Sequence, residues 1–89
     1  MKAKVFSLSR YVEKCLQKAE YLKDENGVVI ARVPDAPGFF AQGDSFEEAR
    51  ENLRDAIEGN VILALQLGFE IPHVEGIEIE ERDVQTSTS

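Results

Sequence analysis

Apolar residues recur at the three-and-four spacing of one helical face between Leu8 and Ala19. This spacing predicts a short amphipathic helix, with the hydroxyl of Ser7 or Ser9 as its N-terminal cap. Cys15 lies on the apolar stripe, so we expect it to be a small core residue rather than a reactive thiol.

A second periodic segment runs from Phe46 to Leu67 and predicts a helix roughly 33 Å long, at about 1.5 Å per residue. Ser45 and Glu48 form a capping box at its start, and Gly68 is placed to end it. Gly59, inside the helix, allows a close approach or marks a bend. Because the domain is small, we expect the far end of this helix to project from the domain or to pair with another segment. Its apolar stripe consists of Phe46, Ala49, Leu53, Ala56, Ile57, Val61, Ala64 and Leu67.

The dipeptide Asn26-Gly27 separates two segments, Glu20–Asp24 and Val28–Val33, that contain apolar residues. Asn-Gly favours a two-residue hairpin turn, in which both central positions need a positive φ angle. The sequence therefore predicts an antiparallel hairpin at this point.

A two-residue turn would place Leu22 opposite Ala31 and Tyr21 opposite Arg32. Side chains alternate between the faces of a strand, so apolar residues then fall on both faces of the sheet. One face carries Leu22, Val29, Ala31 and Val33, and the other carries Tyr21, Val28 and Ile30. We therefore expect the sheet to be covered on both sides, by helices or by another chain.

The remaining predicted elements are short. Pro34–Gly38 is expected to form a rigid elbow that ends the second strand, because neither proline can donate a ladder hydrogen bond. Phe39–Gln42 is predicted as a third strand and Gly76–Glu80 as a fourth. The order α-β-β-β-α-β describes a small single α+β domain over residues 1–80, with a three- to four-stranded, mainly antiparallel sheet packed on the long helix. Residues 81–89 are expected to form a mobile tail.

Composition narrows the possible functions. The chain has 89 residues and a net charge of -7, which would repel a phosphate backbone, so direct nucleic-acid binding is not expected. A single cysteine and a single histidine exclude a disulfide framework and a zinc finger. No apolar segment is long enough for a secretion signal or a membrane span, so we expect a cytoplasmic protein.

Charge is distributed unevenly along the chain. Residues 1–43 carry 7 basic and 5 acidic side chains, whereas residues 44–89 carry 3 basic and 12 acidic ones. The acidic half is either a solvated helix face with a soluble tail or a surface that steers a basic partner toward the protein.

Catalysis is not expected from the pattern of titratable residues. Two-metal phosphodiester hydrolysis needs three or four carboxylates that converge on the metals. The candidates are predicted on a strand, on the elbow and at a helix cap, so convergence is not indicated. They are Glu20, Asp24, Asp35 and Asp44. His73 lies beside Pro72 in a link, without a partner nucleophile. We therefore expect no enzyme, no metal and no cofactor.

A protein-binding surface is the stronger expectation, with an apolar centre and a charged rim. Phe39 and Phe40 are adjacent in a strand and point to opposite faces, so one of them faces away from the long helix. That side chain is covered by the amino-terminal helix, by a partner or by a second copy, and the sequence does not decide which phenylalanine it is. The candidate contact residues are Tyr21, Arg32, Phe39, Phe40, Asp55 and Glu58.

A family resemblance is carried by the segment from Ile30 to Ile57, which reads IARVPDAPGFFAQGDSFEEARENLRDAI. The matching pieces are Val33-Pro34-Asp35, Pro37-Gly38, Gln42-Gly43-Asp44-Ser45, Glu47-Glu48-Ala49, Asn52-Leu53, Ala56-Ile57 and Gly68-Phe69-Glu70-Ile71-Pro72. From about Ala19 to Pro72 the chain thus resembles the HicB family of antitoxins. The leading helix resembles a variant of that family in which a helix precedes the hairpin.

The resemblance implies a partly degraded ribonuclease-H-like domain that has lost nuclease function. Such a domain binds and neutralises a small basic HicA-type toxin, which in that family cleaves messenger RNA. The acid excess agrees with a basic target. Many HicB antitoxins continue into a DNA-binding module, whereas about a dozen residues follow Gly76 here, so we expect a short form without that module.

The competing hypothesis is a stand-alone homo-oligomer that acts as a scaffold or binds a small ligand, without a toxin. An unpaired edge strand and a long helix would each support a two-fold contact, so self-association as a dimer or higher oligomer is expected. The toxin's identity, its RNA target and any transcriptional autoregulation stay open.

Overall fold

The computed structural model describes residues 2–83. In chain order, the elements are β1 (Lys2–Val5), α1 (Leu8–Gln17), β2 (Glu20–Lys23), β3 (Val29–Val33), β4 (Ala36–Gly43), α2 (Phe46–Leu67) and β5 (Glu80–Asp83). Strands β2, β3 and β4 form one antiparallel sheet in that order, and β1 pairs antiparallel with β5 in a second sheet. The α+β class is confirmed, but β1 precedes the predicted order of elements.

Capping residues set the ends of both helices. The Ser7 hydroxyl accepts a hydrogen bond at 3.3 Å from the amide three residues later, so Ser7 rather than Ser9 caps α1. The Ser45 hydroxyl accepts one from the Glu48 amide at 3.1 Å and caps α2. Gly68 ends α2 in the left-handed conformation, with φ at 73°.

The core lies between the two helices and one face of the three-stranded sheet, which we call the inner face. Its buried residues are Tyr11, Val12, Cys15, Leu16, Val29, Ala31, Val33, Ala36, Phe39, Ala49, Leu53, Ile57, Val61, Ile71 and Val74. Cys15 is therefore a core residue, as predicted. The two ends of the predicted α2 stripe, Phe46 and Leu67, are exposed instead.

The turn between β2 and β3 has three residues, not the predicted two. The amide of Asp24 donates to the carbonyl of Val28 at 2.9 Å, and the amide of Gly27 donates to the carbonyl of Asp24 at 3.1 Å. The Asp24 carboxylate accepts from the amides of Asn26 and Val28, at 2.8 and 2.9 Å. This carboxylate stabilises a turn that needs a positive φ only at Gly27, where φ is 83°.

The longer turn shifts the register of the hairpin by one residue. Tyr21 lies opposite Ala31 and Leu22 opposite Ile30, whereas the sequence predicted Tyr21 opposite Arg32. Residues opposite one another share a face, so Tyr21 belongs to the inner face and Leu22 to the other. The prediction was wrong because a slip of one residue exchanges the two faces of a strand.

Strand β4 is longer than the predicted strand at Phe39–Gln42. The chain reverses at Pro34-Asp35, and β4 then passes through Pro37 on its way from Ala36 to Gly43. Because β4 is an edge strand, a proline is tolerated in it. The predicted elbow is thus a turn followed by the start of a strand.

The predicted fourth strand at Gly76–Glu80 is wrong. The strand is β5, at Glu80–Asp83, and it pairs with β1, which the sequence pattern did not predict. The pairing sets basic positions opposite acidic ones, such as Lys4 opposite Glu81, and shows no apolar alternation that would have revealed it. Residues 81–83 of the expected tail lie in β5, and residues 84–89 lie outside the described residues.

The substitution Gly27→Val tests the turn. A β-branched residue is strained at a positive φ, at a cost of about 1–2 kcal/mol, so the melting temperature is expected to fall by at least about 4 °C. Gly38→Val is the matched control, because Gly38 has no positive φ and open space at its Cβ position. Circular dichroism during heating measures both variants, and an unchanged melting temperature for Gly27→Val would rule out this turn.

Candidate protein-binding surface

The face of the three-stranded sheet opposite the core carries two rows of side chains, which we call the outer sheet face. Across β2, β3 and β4, the rows are Glu20-Arg32-Phe40 and Leu22-Ile30-Gln42. These rows follow from the register, because residues opposite one another share a face. Within residues 2–83, Leu22 stays 67% exposed and Phe40 64% exposed. The expected cover on both sides of the sheet is therefore not found in the described part of the chain.

Two of the six predicted contact residues, Arg32 and Phe40, lie side by side on the outer sheet face. Phe39 points the other way, is 3% exposed and packs edge-to-face on Tyr11, with ring centroids 6.4 Å apart. Phe39 is therefore a core residue and not a surface contact. Helix α1 packs on the inner side with Tyr11, so it leaves Phe40 uncovered.

The other three predicted contact residues lie elsewhere. Tyr21 is half-buried on the inner side and packs edge-to-face on Phe46, with ring centroids 6.0 Å apart. Asp55 and Glu58 lie on α2, which packs against the inner face. The six residues therefore do not form one surface, because the register shift moved Tyr21 inward and α2 lies on the far side of the sheet from Phe40.

Leu22 was missed as a member of this surface. The predicted two-residue turn places Leu22 on the same face as the core residues of β3, whereas the observed three-residue turn places it on the outer sheet face. A usable signal was present, since Asp is favoured at the first position of a type I turn and Gly at the fourth. Asp24 and Gly27 have this spacing.

The outer sheet face has little net charge, because Nη2 of Arg32 lies 3.8 Å from Oε1 of Glu20. Such an exposed pair adds little stability, but it leaves no isolated cation beside Phe40. The acidic half of the chain corresponds to α2 and the segment that follows it. The apolar patch and the acidic surface are therefore separate.

The segment at the end of β4 fixes the sheet against α2. The side-chain amide of Asn52 donates to the carbonyl of Gln42 at 2.8 Å. A Cβ atom on Gly43 would lie 2.5 Å from the amide nitrogen of Ala49, so glycine is what allows this close approach. These contacts set the position of β4 and thereby of Phe40.

Reactive groups are not brought together in residues 2–83. Within this range no cluster of three metal-ligating side chains occurs. Burial raises the pKa of the Cys15 thiol to about 11. Burial likewise raises the pKa of the Tyr11 hydroxyl above its usual range, and this hydroxyl donates to the Pro72 carbonyl at 2.6 Å. His73 is exposed. None of these groups is arranged as a nucleophile or base.

Comparison with known families identifies the domain. A family described as UPF0150-like matches residues 10–72, a span that includes the outer sheet face, α2 and most of α1. The chain belongs to the UPF0150-like family. The match leaves out β1 and β5, so the two-stranded sheet lies outside the part that defines this UPF0150-like domain.

Two solved structures resemble this UPF0150-like chain. The crystal structure of TTHA0281 from Thermus thermophilus is 26% identical, with a TM-score of 0.72, over 89% of this chain and 95% of that one. The N-terminal domain of the antitoxin HicB from Burkholderia pseudomallei is 21% identical, with a TM-score of 0.54, over 97% of this chain and 100% of that one. The second likeness shows that the fold is shared. No curated protein matches the sequence.

Neither of the described helices combines the length and the apolar content that crossing a bilayer requires.

Proposed function

We propose that this chain is an antitoxin that binds and masks a small basic toxin of the HicA type. Membership of the UPF0150-like family and the fold shared with the N-terminal domain of the antitoxin HicB support this role. The observation that carries it is the exposed Phe40 on the edge strand β4 of an uncovered sheet face. The function is inhibition by contact, not catalysis, and it operates in the cytoplasm where messenger RNA is translated.

The outer sheet face is the proposed toxin-binding surface. Phe40, Leu22 and Ile30 supply its apolar side chains, one from each strand, and Arg32, Glu20 and Gln42 supply polar groups beside them. Protein interfaces take most of their binding energy from a few residues, with aromatic and Arg side chains enriched among them. Of the candidate contacts that the sequence offers, Arg32 and Phe40 keep this role.

The acidic residues Asp55 and Glu58 have a different proposed role. They lie on α2, away from Phe40, so they do not contact a toxin seated on the outer sheet face. With the net charge of -7, they contribute to a field that attracts a basic protein and speeds its encounter. This contribution is expected to weaken as salt screens the charges.

The test is a neutralisation assay with the protein encoded by the adjoining reading frame, which the proposal requires to be small and basic. That protein is incubated with messenger RNA, and increasing amounts of the antitoxin are added. RNA cleavage is expected to stop near equal amounts of the two proteins. An unrelated acidic protein of similar size and charge is the control, because it tests whether charge alone inhibits. Cleavage that continues at a tenfold excess would overturn the proposal and favour the stand-alone oligomer.

A further inference from the structure

Strand β4 ends the three-stranded sheet, and within residues 2–83 no strand pairs with the side of β4 that faces away from β3. We call this side the free edge of β4. The edge of a sheet offers backbone N–H and C=O groups to which an extended segment of another chain can add as a further strand. Proteins usually protect such edges, so the degree of protection indicates which edge is open to a partner.

The two edges of this sheet are protected to different degrees. The opposite edge strand, β2, has only 4 residues and carries a charge at each end, at Glu20 and Lys23. Strand β4 has 8 residues and no charged side chain, and its Pro37 and its register shift both lie near its start. Shortness, charge, proline and irregular register all discourage pairing. Residues 39–43 therefore form an edge without such protection.

The hydrogen bonds of the hairpin show which backbone groups face the free edge. The Val28 carbonyl accepts from the Asp24 amide at 2.9 Å, so it points toward β2. Because alternate residues of a strand direct their backbone groups to the same side, Arg32 also points its groups toward β2. Phe40 lies opposite Arg32 and exchanges no ladder bonds with it. The N–H and C=O of Phe40 therefore point to the free edge.

A second hydrogen bond agrees with this direction. The Gln42 carbonyl accepts from the side-chain amide of Asn52 on α2 at 2.8 Å, so it points away from β3. Gln42 is two residues after Phe40, and the two residues direct their backbone groups to the same side. The bond also places the Asn52 side of α2 next to the free edge.

That side of α2 is acidic. Glu48 lies four residues before Asn52 and Asp55 three residues after it, so both share its side of the helix, and both are exposed. Arg50 and Arg54 each lie two residues from Asn52 and therefore fall on the opposite side. A strand added at the free edge would thus pass beside two carboxylates without a neighbouring arginine.

We infer that the free edge of β4 takes up an extended, basic segment of the toxin as a fourth strand of the sheet. The identity of this partner rests on the proposed function. Side chains alternate along the added strand, so one set lies beside Phe40 on the outer sheet face and the other points to the side of α2. Asp55, which a toxin seated on the outer sheet face alone does not contact, would then face a basic side chain.

Charge selects this occupant over a second copy of the chain. Two β4 strands paired about a two-fold axis would bring the acidic sides of two α2 helices together. Like charges that meet across an interface repel one another, whereas a basic segment is attracted. Strand β4 supplies no basic side chain that would offset this repulsion.

Phe40→Pro tests the backbone bond, with Phe40→Ala as its matched control. Both variants lose the ring, but only proline also loses the N–H. We expect the dissociation constant of the toxin complex to be roughly tenfold higher for Phe40→Pro than for Phe40→Ala, because a partner carbonyl is left without its donor. Isothermal titration calorimetry with the protein encoded by the adjoining reading frame measures both. Equal dissociation constants would overturn the inference.

Hydrogen exchange of the wild type, followed by NMR, tests the same bond without a substitution, and it decides the matter if circular dichroism shows that Phe40→Pro does not fold. In the free chain the Phe40 amide is expected to exchange faster than the Ala41 amide, which points toward β3. Toxin binding is expected to slow exchange at Phe40 at least about tenfold. A Phe40 amide that is already slow in the free chain, or unchanged by the toxin, would contradict the added strand.

Asp55→Lys tests the basic character of the segment, with Glu58→Lys as the control. The two substitutions change the net charge equally, but Glu58 lies further around the helix from Asn52. Both are expected to slow association, whereas only Asp55→Lys is expected to speed dissociation, by roughly fivefold. Surface plasmon resonance measures both rates. Equal dissociation rates for the two variants would rule out a basic side chain beside Asp55.

These results separate the inference from the proposed function. A wild type that does not bind the toxin overturns both. A wild type that neutralises the toxin, with equal affinities for Phe40→Pro and Phe40→Ala, leaves the function standing and overturns the added strand. If exchange at Phe40 in the free chain slows as the concentration of the chain rises, the free edge pairs with a second copy, and the inference is wrong.

Discussion

Phe40→Ala is expected to raise the dissociation constant of the toxin complex roughly 30-fold, equivalent to about 2 kcal/mol for an aromatic residue that carries much of the binding energy. The ring is 64% exposed on the outer sheet face, so its removal costs the isolated domain little packing. In the proposed complex the same ring is buried against the toxin. Isothermal titration calorimetry with the toxin from the adjoining reading frame measures the change.

Phe69→Ala is the matched control for Phe40→Ala. Phe69 is 62% exposed, follows α2 and lies outside the outer sheet face. The same number of atoms is removed at similar exposure, so the two variants differ in location only. Equal affinities for the two variants would remove Phe40 from the interface and leave the site of toxin contact to be found elsewhere.

Gly43→Val is expected to destabilise the domain by about 3 kcal/mol or more, the upper range for overpacking a buried position. The new Cβ atom would lie 2.5 Å from the amide nitrogen of Ala49 and 2.8 Å from the carbonyl carbon of Glu48. Both atoms are backbone in the first turn of α2, so no side chain can rotate away. Strand and helix must separate, which also breaks the bond from Asn52 to the Gln42 carbonyl.

Urea denaturation measures this loss, and Gly38→Val provides the comparison within the same strand. Gly38 has nothing within 4 Å of its Cβ position, so valine there is expected to change stability by less than about 1 kcal/mol. If the two variants unfold at the same urea concentration, Gly43 is not the contact that holds β4 against α2.

The family resemblance read from the sequence and the observed fold agree in part. The UPF0150-like match and the structure of the HicB N-terminal domain bear out the family and the α+β fold. The ribonuclease-H-like relation, the HicA-type partner and the contact residues stay predictions. The motif Gln42-Gly43-Asp44-Ser45 acquires a physical explanation, because it joins β4 to the capped start of α2.

Both helices could be predicted from the sequence, because helix formation depends on local information. The spacing of apolar residues, Ser45 at the start of α2 and Gly68 at its end all act within a few residues. The existence of a hairpin at Asn26-Gly27, the burial of Cys15 and the outward projection of one phenylalanine follow from similarly local rules.

The tertiary structure alone decided which residues form the candidate surface. The Asp24 carboxylate lengthens the turn by one residue, and that single step sends Leu22 outward and Tyr21 inward. The pairing of β1 with β5 joins segments far apart in the chain, so no window of neighbouring residues contains it. Periodicity identifies a face that is apolar, but only the packed fold determines whether that face is already covered. Phe40 remains exposed because both helices pack on the other side of the sheet. Ile62 remains exposed because α2 turns its neighbour Val61 toward the core instead.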